Sequence, residues 1–180
     1  MPAFVQNLFP MKRLFLLRHA KSSWDDPELE DHDRPLAPRG RHGAKRIAAY
    51  MREKDFEPTI VLCSSAVRAR RTLELVALAL PEQTAIEIEP SLYHAGSREL
   101  MARLRRVPRG APSVLLIGHN PAMQHLVLIL ASETEQMEPI RKKFPTSALA
   151  VLDARIEGWH QLGPGAAILA DFVTPKRLKR

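Results

Sequence analysis

The segment LFLLRHAKSSW, residues 14–24, joins an apolar run directly to an arginine and a histidine. Residues 13–17, RLFLL, form a short apolar run bounded by charged residues, which is the pattern of a buried β-strand. Arg18 and His19 then stand at the carboxyl end of that predicted strand. Ligands of open α/β sheets bind outside the carboxyl ends of the strands, so both residues are candidate functional residues.

Apolar strand patterns alternate with helical stripes along the rest of the chain. The helical stripes repeat at spacings of three and four residues, as Ala44, Ile47, Ala48 and Met51 do. This alternation predicts an α/β fold, a three-layer sandwich with a mostly parallel central sheet flanked by helices. The further strands are predicted at 59–65, 85–89, 113–119 and 148–154.

The length of 180 residues predicts one domain. We place it at residues 11–174, after a loose N-terminal extension at 1–10 and before a basic tail at 175–180. Residues 133–147 are polar and interrupted by proline, which predicts a surface segment. The single cysteine, Cys63, excludes an internal disulfide and fits a reducing cytoplasm.

The formal net charge of +7 favours anionic partners. The basic clusters have no aromatic residues interleaved for base stacking, so no specific nucleic-acid binding is predicted. No apolar stretch approaches the length of a membrane span, and no signal-peptide pattern begins the chain. We therefore expect a cytoplasmic protein that binds no membrane.

Two other predicted strands end in polar residues, one at Ser64 and Ser65 and the other at His119. Parallel neighbours would bring these residues to one edge of the sheet together with Arg18 and His19. Arg68, in the first turn of the next helix, can reach the same edge. Arginine guanidinium groups match phosphate oxygens, and a neutral imidazole is a competent nucleophile toward phosphorus.

Taken singly, each residue could have a purely structural role, as a histidine in a loop or an arginine in an ordinary salt bridge. The combination of all four at one edge of the sheet is what favours a phosphoryl-binding site. This set requires no metal and no cofactor, because cationic arginines repel a divalent ion. Further polar contacts to substrate are predicted from four residues: Ser22, Ser64, His94 and Asn120.

Four motifs occur in an order that resembles the histidine phosphatase superfamily, the phosphoglycerate mutase-like enzymes. They are LLRHAKSSW at 16–24, the Leu36, Gly40 and Ala44 spacing, SSAVRARRT at 64–72, and GHN at 118–120. The resemblance implies a phosphoglycerate mutase-like fold. It also implies that His19 is phosphorylated during turnover, and that Arg18, Arg68 and His119 bind the phosphoryl group.

The chain departs from the family pattern at three positions. Ala20 replaces the usual glycine, and its methyl group is expected to narrow the approach of phosphate to the backbone. Asp25 stands where many members have asparagine. His94, in Leu92-Tyr93-His94, stands where the mutases carry the acid that protonates the leaving oxygen.

The replacement of the mutase acid by His94 affects which phosphorus bond the site can break. An alkoxide leaving group needs a proton, whereas the imidazole of phosphohistidine can leave neutral once its ring is protonated. Together with the short chain, this resembles the SixA-like phosphohistidine phosphatases. The predicted function is a metal-independent phosphatase that dephosphorylates phosphohistidine in a protein of the histidine phosphotransfer type.

Two alternatives remain open on the sequence. The first is a phosphatase of small phosphate esters, in which Asp25, Glu89 or His94 serves as the acid. The second is a phosphate- or polyanion-binding module without turnover, which the positive charge and Ala20 would suit.

Overall fold

A computed structural model describes residues 10–178, which fold into one six-stranded sheet with helices on both faces. The strands are β1 (Met11–Arg18), β2 (Ile60–Ser64), β3 (Ala85–Glu89), β4 (Ser113–Gly118), β5 (Leu149–Arg155) and β6 (Ala167–Val173). The α-helices are α1 (Pro38–Glu53), α2 (Val67–Val76), α3 (Ser97–Leu104), α4 (Ala122–Leu130) and α5 (Glu138–Lys142).

The sheet has the strand order β3-β2-β4-β1-β5-β6. Strands β3, β2, β4 and β1 run parallel to their neighbours, while β5 is antiparallel to β1 and to β6. The predicted α/β sandwich with a mostly parallel sheet is confirmed. Strands β2, β4 and β1 are adjacent, so their carboxyl ends meet at one edge.

Alternate residues of β1 supply two separate hydrophobic cores. Leu14 and Leu16 pack with α3 and α4 on one face of the sheet, and Phe15 and Leu17 pack with α1 and α2 on the other. Side chains alternate between the faces of a strand, so a strand buried on both faces is apolar throughout. This explains the uninterrupted run LFLL.

The edge strand β6 was not predicted. Among the strands it pairs only with β5 within residues 10–178, apart from a single bridge between Ala167 and Ala131. Its central residues are exposed or partly exposed, and Asp171 interrupts the apolar run AILADFV. A register shift in β5 between Val151 and Leu152 breaks the regular pairing there. Edge strands with one polar residue and no strict alternation carry little periodic signal.

Helices α2 and α4 both begin without a hydrogen bond from a capping side chain. Helix α2 begins at Val67 without a side-chain cap, and Ser64 instead accepts the Ala66 N–H at 3.3 Å. Helix α4 begins at Ala122, after Pro121. The Asn120 amide donates to a carbonyl in place of capping that helix.

Residues 133–147 are not the purely surface segment that their polarity predicts. The segment contains α5, and three of its side chains are buried in the core beside α4, namely Met137, Ile140 and Phe144. Their spacing in a short, proline-containing stretch is too sparse to form a recognisable stripe.

The described part of the basic tail lies against the domain. Leu178 packs on the core beneath α1, and its carbonyl accepts a hydrogen bond from Arg46. Residues 1–9 of the predicted N-terminal extension lie outside the described residues. Within residues 10–178, no helix is long and apolar enough to cross a membrane.

Gly40 allows the first turn of α1 to touch the chain just beyond His19. A Cβ atom at this position would lie 2.1 Å from the Lys21 carbonyl oxygen, which no packing tolerates. The nearby Ala37 N–H donates to the same oxygen at 2.9 Å. The glycine of the 36–44 motif therefore serves the close approach of two backbone segments.

We predict that Gly40→Ala destabilises the protein, although alanine normally stabilises a helix relative to glycine. The clash with the Lys21 carbonyl should lower the free energy of unfolding by about 1–3 kcal/mol, the usual cost of overpacking. Urea denaturation measures it. The control is Gly110→Ala, where a Cβ meets nothing within 4 Å. A Gly40→Ala protein as stable as wild type would contradict this account.

Candidate active site

Two histidines face each other where β1 and β4 end. Arg18 on β1 is in register with Gly118 on β4, and the His19 N–H donates to the Gly118 carbonyl at 3.0 Å. His19 and His119, each the next residue, therefore lie side by side. Their ring centroids are 5.0 Å apart.

The His19 ring has a defined tautomer. Its Nδ1 lies 2.7 Å from the Ala20 carbonyl oxygen, and a carbonyl can only accept, so Nδ1 carries the proton. Nε2 of a neutral ring then bears a lone pair. The pKa of His19 is lowered to about 4, chiefly by burial and also by the charges of Arg68 and Arg18, against the opposing effect of the Ala20 hydrogen bond. His19 is therefore neutral at pH 7.

The His119 ring is held by a serine from the next strand. Its Nε2 lies 2.7 Å from the Ser64 hydroxyl, whereas Nδ1 is buried without a partner among residues 10–178. Burial lowers the pKa of His119 to about 3, with further contributions from His19 and Arg68. One ring nitrogen is thus left for a group outside the protein.

Arg18 reaches the site from the last residue of β1. Its Nη1 donates to the Phe144 carbonyl at 2.8 Å, while its Nε is buried and unpaired among the described residues. Burial lowers the pKa of Arg18, and the charge of Arg68 adds to this effect. The Asn120 side chain donates to the same Phe144 carbonyl at 3.1 Å.

Arg68 is 8% exposed and is held by Asp31. Its Nη1 donates to the Asp31 carbonyl oxygen, and its Nη2 lies 2.9 Å from a carboxylate oxygen of Asp31. The Tyr93 hydroxyl donates to that same oxygen at 2.6 Å. This Tyr93 hydrogen bond, together with Arg68, lowers the pKa of the Asp31 carboxyl group.

The structure brings together Arg18, His19, Arg68 and His119, and it adds residues that the sequence analysis did not assign to the site. Asp31 lies in a single 3-10 turn, Phe144 lies in a loop, and no local pattern predicts the hydrogen bond of the Tyr93 hydroxyl to Asp31. The acidic residues before α1 could have indicated such a partner for Arg68, because a buried arginine requires a counter-charge or hydrogen-bond acceptors.

The four residues predicted to add polar contacts occupy different places. Ser64 and Asn120 lie in the site as described above. Ser22 is partly buried and pairs with Leu36 through an isolated antiparallel bridge. His94 is exposed and lies against Tyr93, with ring centroids 4.1 Å apart.

The two carboxylates considered as acids are engaged elsewhere. Asp25 is exposed and accepts a hydrogen bond from the Ser23 hydroxyl at 2.7 Å. Glu89 forms an ion pair with Arg103 at 2.6 Å. Within residues 10–178, neither forms a hydrogen bond or an ion pair with the histidine pair.

Ala20 does not line the site opening. It is fully buried, and its side chain packs with Leu36 and Ala44 beneath α1. Its N–H donates to the Thr72 hydroxyl at 2.9 Å. The extra methyl group therefore fills a space in the core.

The arrangement can bind a dianion and attack it. The His119 ring, with one unpaired nitrogen, lies beside the His19 ring, and the guanidinium groups of Arg18 and Arg68 act on both electrostatically. Within residues 10–178, no group of three or more histidine, cysteine, aspartate or glutamate side chains is arranged to hold a metal ion.

Comparisons with known proteins identify the family of this chain. A family model for the histidine phosphatase superfamily (branch 1) matches residues 14–96. An uncharacterised protein of Mycobacterium tuberculosis is 38% identical over 165 residues, which span 89% of this chain and all of that protein. The phosphohistidine phosphatase SixA of Escherichia coli K12 is 31% identical over 141 residues, 77% of this chain and 83% of that one.

A solved structure gives the same result at the level of the fold. The candidate phosphohistidine phosphatase SixA of Nakamurella multipartitia superposes with a TM-score of 0.81 at 27% identity, covering 92% of this chain and 96% of that one. The chain is thus similar to SixA proteins both in sequence and in fold. The protein belongs to the histidine phosphatase superfamily and, within it, to the SixA-like branch.

Proposed function

We propose that the protein is a metal-independent phosphohistidine phosphatase that works through a phosphorylated His19. The observation that carries this proposal is the hydrogen bond from His19 Nδ1 to the Ala20 carbonyl. It keeps the proton on Nδ1 and leaves the lone pair on Nε2, in a ring that lies within the electrostatic field of Arg68 and Arg18. Membership of the family supports phosphatase activity, and the site supports the particular route.

In the first step, His19 Nε2 attacks the phosphorus atom. The new N–P bond forms as the bond between phosphorus and the substrate's imidazole nitrogen breaks, and its electron pair goes to that nitrogen. The substrate ring leaves neutral because its other nitrogen carries a proton. Arg18, Arg68 and His119 bind the three equatorial oxygens, where charge is concentrated.

In the second step, a water molecule attacks the phosphorus atom of phospho-His19. The N–P bond breaks with its electron pair returning to Nε2, and the water's proton passes to phosphate or solvent. Nδ1 keeps its proton on the Ala20 carbonyl throughout, so the ring departs as neutral imidazole. The hydrogen bond that orients the nucleophile thus also makes it a good leaving group.

We infer a substrate with a P–N bond and not a P–O bond because none of the three candidate carboxylates is suited to donate a proton. Asp25 and Glu89 are engaged with other residues, and Asp31 is held ionised by Arg68 and Tyr93. A carboxylate in these states is a poor donor of a proton to an alkoxide.

We predict that His19→Ala abolishes turnover of a phosphorylated histidine-containing transfer protein, because it removes the atom that accepts the phosphoryl group. Phosphate release measures the activity, and the urea midpoint verifies folding. EDTA should leave the wild-type rate unchanged, since the arginines take the role of a metal. An active His19→Ala protein would refute the phosphoenzyme route.

Substrate preference is a second prediction. Wild-type kcat/KM should be higher for a phosphohistidine protein than for an aryl or sugar phosphate by at least ~10²-fold, the lower range of general acid catalysis. Both rates come from phosphate release at the same pH. A clear preference for the esters would overturn the assignment of substrate and leave the phosphoenzyme intact.

Stability should depend on pH through the same histidines. Their pKa values of about 4 and about 3 lie below the unfolded value near 6.5, so the unfolded chain takes up protons first as pH falls. Stability is therefore lost below about pH 6.5. His119→Asn should reduce the loss between about pH 7 and about pH 5 by on the order of 1–2 kcal/mol.

Urea denaturation at the two pH values measures this difference. Val76→Ala is the control, because it removes buried apolar volume and no titratable group, and should lower stability equally at both. The same pH dependence in His119→Asn as in wild type would show that His119 ionises normally in the folded protein.

A further inference from the structure

Aromatic rings cluster where the site opens to solvent. Tyr93 is the centre of this cluster, with His32 4.9 Å away and His119 5.5 Å away between ring centroids, both edge-on. His94 lies against Tyr93 at 4.1 Å and is exposed. We call Tyr93 and His94 the aromatic wall. The phosphoryl chemistry proposed above assigns no part to the Tyr93 ring.

The wall is held in a fixed position relative to the phosphate-binding groups. The Tyr93 hydroxyl donates to Asp31, which also binds Arg68. The Arg68 guanidinium carbon lies 5.7 Å from the centroid of the Tyr93 ring. Tyr93 therefore borders two of the groups that would bind the phosphoryl oxygens, and its orientation is set by the same carboxylate.

The position of the wall matches the path of a leaving group. In-line displacement places the leaving nitrogen on the side of phosphorus opposite His19. His19 lies at the buried end of the site, with 7% exposure, so the leaving group faces the exposed end. Tyr93 and His94 stand at that end. An alkyl or amine leaving group would gain little from rings there, whereas an imidazole can pack against them.

We propose that the Tyr93–His94 wall receives the imidazole ring of the substrate and makes Tyr93 a specificity-determining residue for aromatic leaving groups on phosphorus. This inference rests on the proposed function and adds the group that is recognised beyond the phosphoryl oxygens. It explains why a solvent-exposed end of the site carries rings in place of an acid.

Two small P–N substrates separate ring recognition from phosphoryl chemistry. N-phosphoimidazole has an aromatic leaving group, and phosphoramidate has ammonia. Tyr93→Leu should lower the ratio of kcat/KM for phosphoimidazole to kcat/KM for phosphoramidate by about three- to tenfold, the range of an aromatic pair contact, because losing the hydroxyl's bond to Asp31 affects both substrates alike. Tyr93→Phe keeps the ring and should retain the wild-type ratio of the two rates.

Tyr50→Leu is the matched control. Tyr50 is the other tyrosine of the chain, and its hydroxyl likewise donates to a carboxylate, that of Asp171 at 2.6 Å. It packs beside Phe56, on the core between the sheet and α1. Tyr50→Leu should leave the ratio of the two rates unchanged.

The outcomes are distinct. A selective loss on phosphoimidazole in Tyr93→Leu, restored in Tyr93→Phe, supports the wall. An equal loss on both substrates would show that Tyr93 acts only through Asp31 and Arg68, and no loss would show that the ring is not used. Either result overturns this inference alone. A wild-type protein that hydrolyses neither P–N substrate would overturn the proposed function as well.

Discussion

The parallel pairing of β1 with β4 is the constraint on which the site depends. Because Arg18 and Gly118 are in register, both strands end together and the next residue of each is a histidine. A shift of one residue along either strand would separate the rings and turn one of them to the other face. The buried apolar runs that hold this register are therefore as necessary to the site as the histidines.

Burial and like charge act together on the groups at this edge. Arg18 and Arg68 lower each histidine's pKa, and Arg68 lowers that of Arg18. A phosphoryl dianion relieves this repulsion, so the folded protein is electrostatically complementary to the bound state. Asp31 neutralises part of the charge while fixing Arg68, which orients a cation that would otherwise be repelled by its neighbours.

Sequence reasoning predicted the elements that are buried on both faces and the polar residues that follow them. Arg18, His19 and His119 could be predicted because each lies at the end of a continuous apolar run. Asp31 is 37 positions from Arg68, and no local pattern reports a hydrogen bond across that separation. Strand β6 and the buried side chain of Phe144 were missed because an edge strand and a short helix lack regular periodicity.

The Phe144 carbonyl restricts how this chain can change length. It accepts hydrogen bonds from both Arg18, the last residue of β1, and Asn120, which follows β4. The Ser147 N–H in turn donates to the Arg18 carbonyl at 3.1 Å. An inserted residue between Phe144 and Ser147 would displace one anchor relative to the other and move the Arg18 guanidinium. Insertions near the exposed residues 133–136 should therefore be tolerated in evolution, whereas the number of residues from 144 to 147 should stay constant.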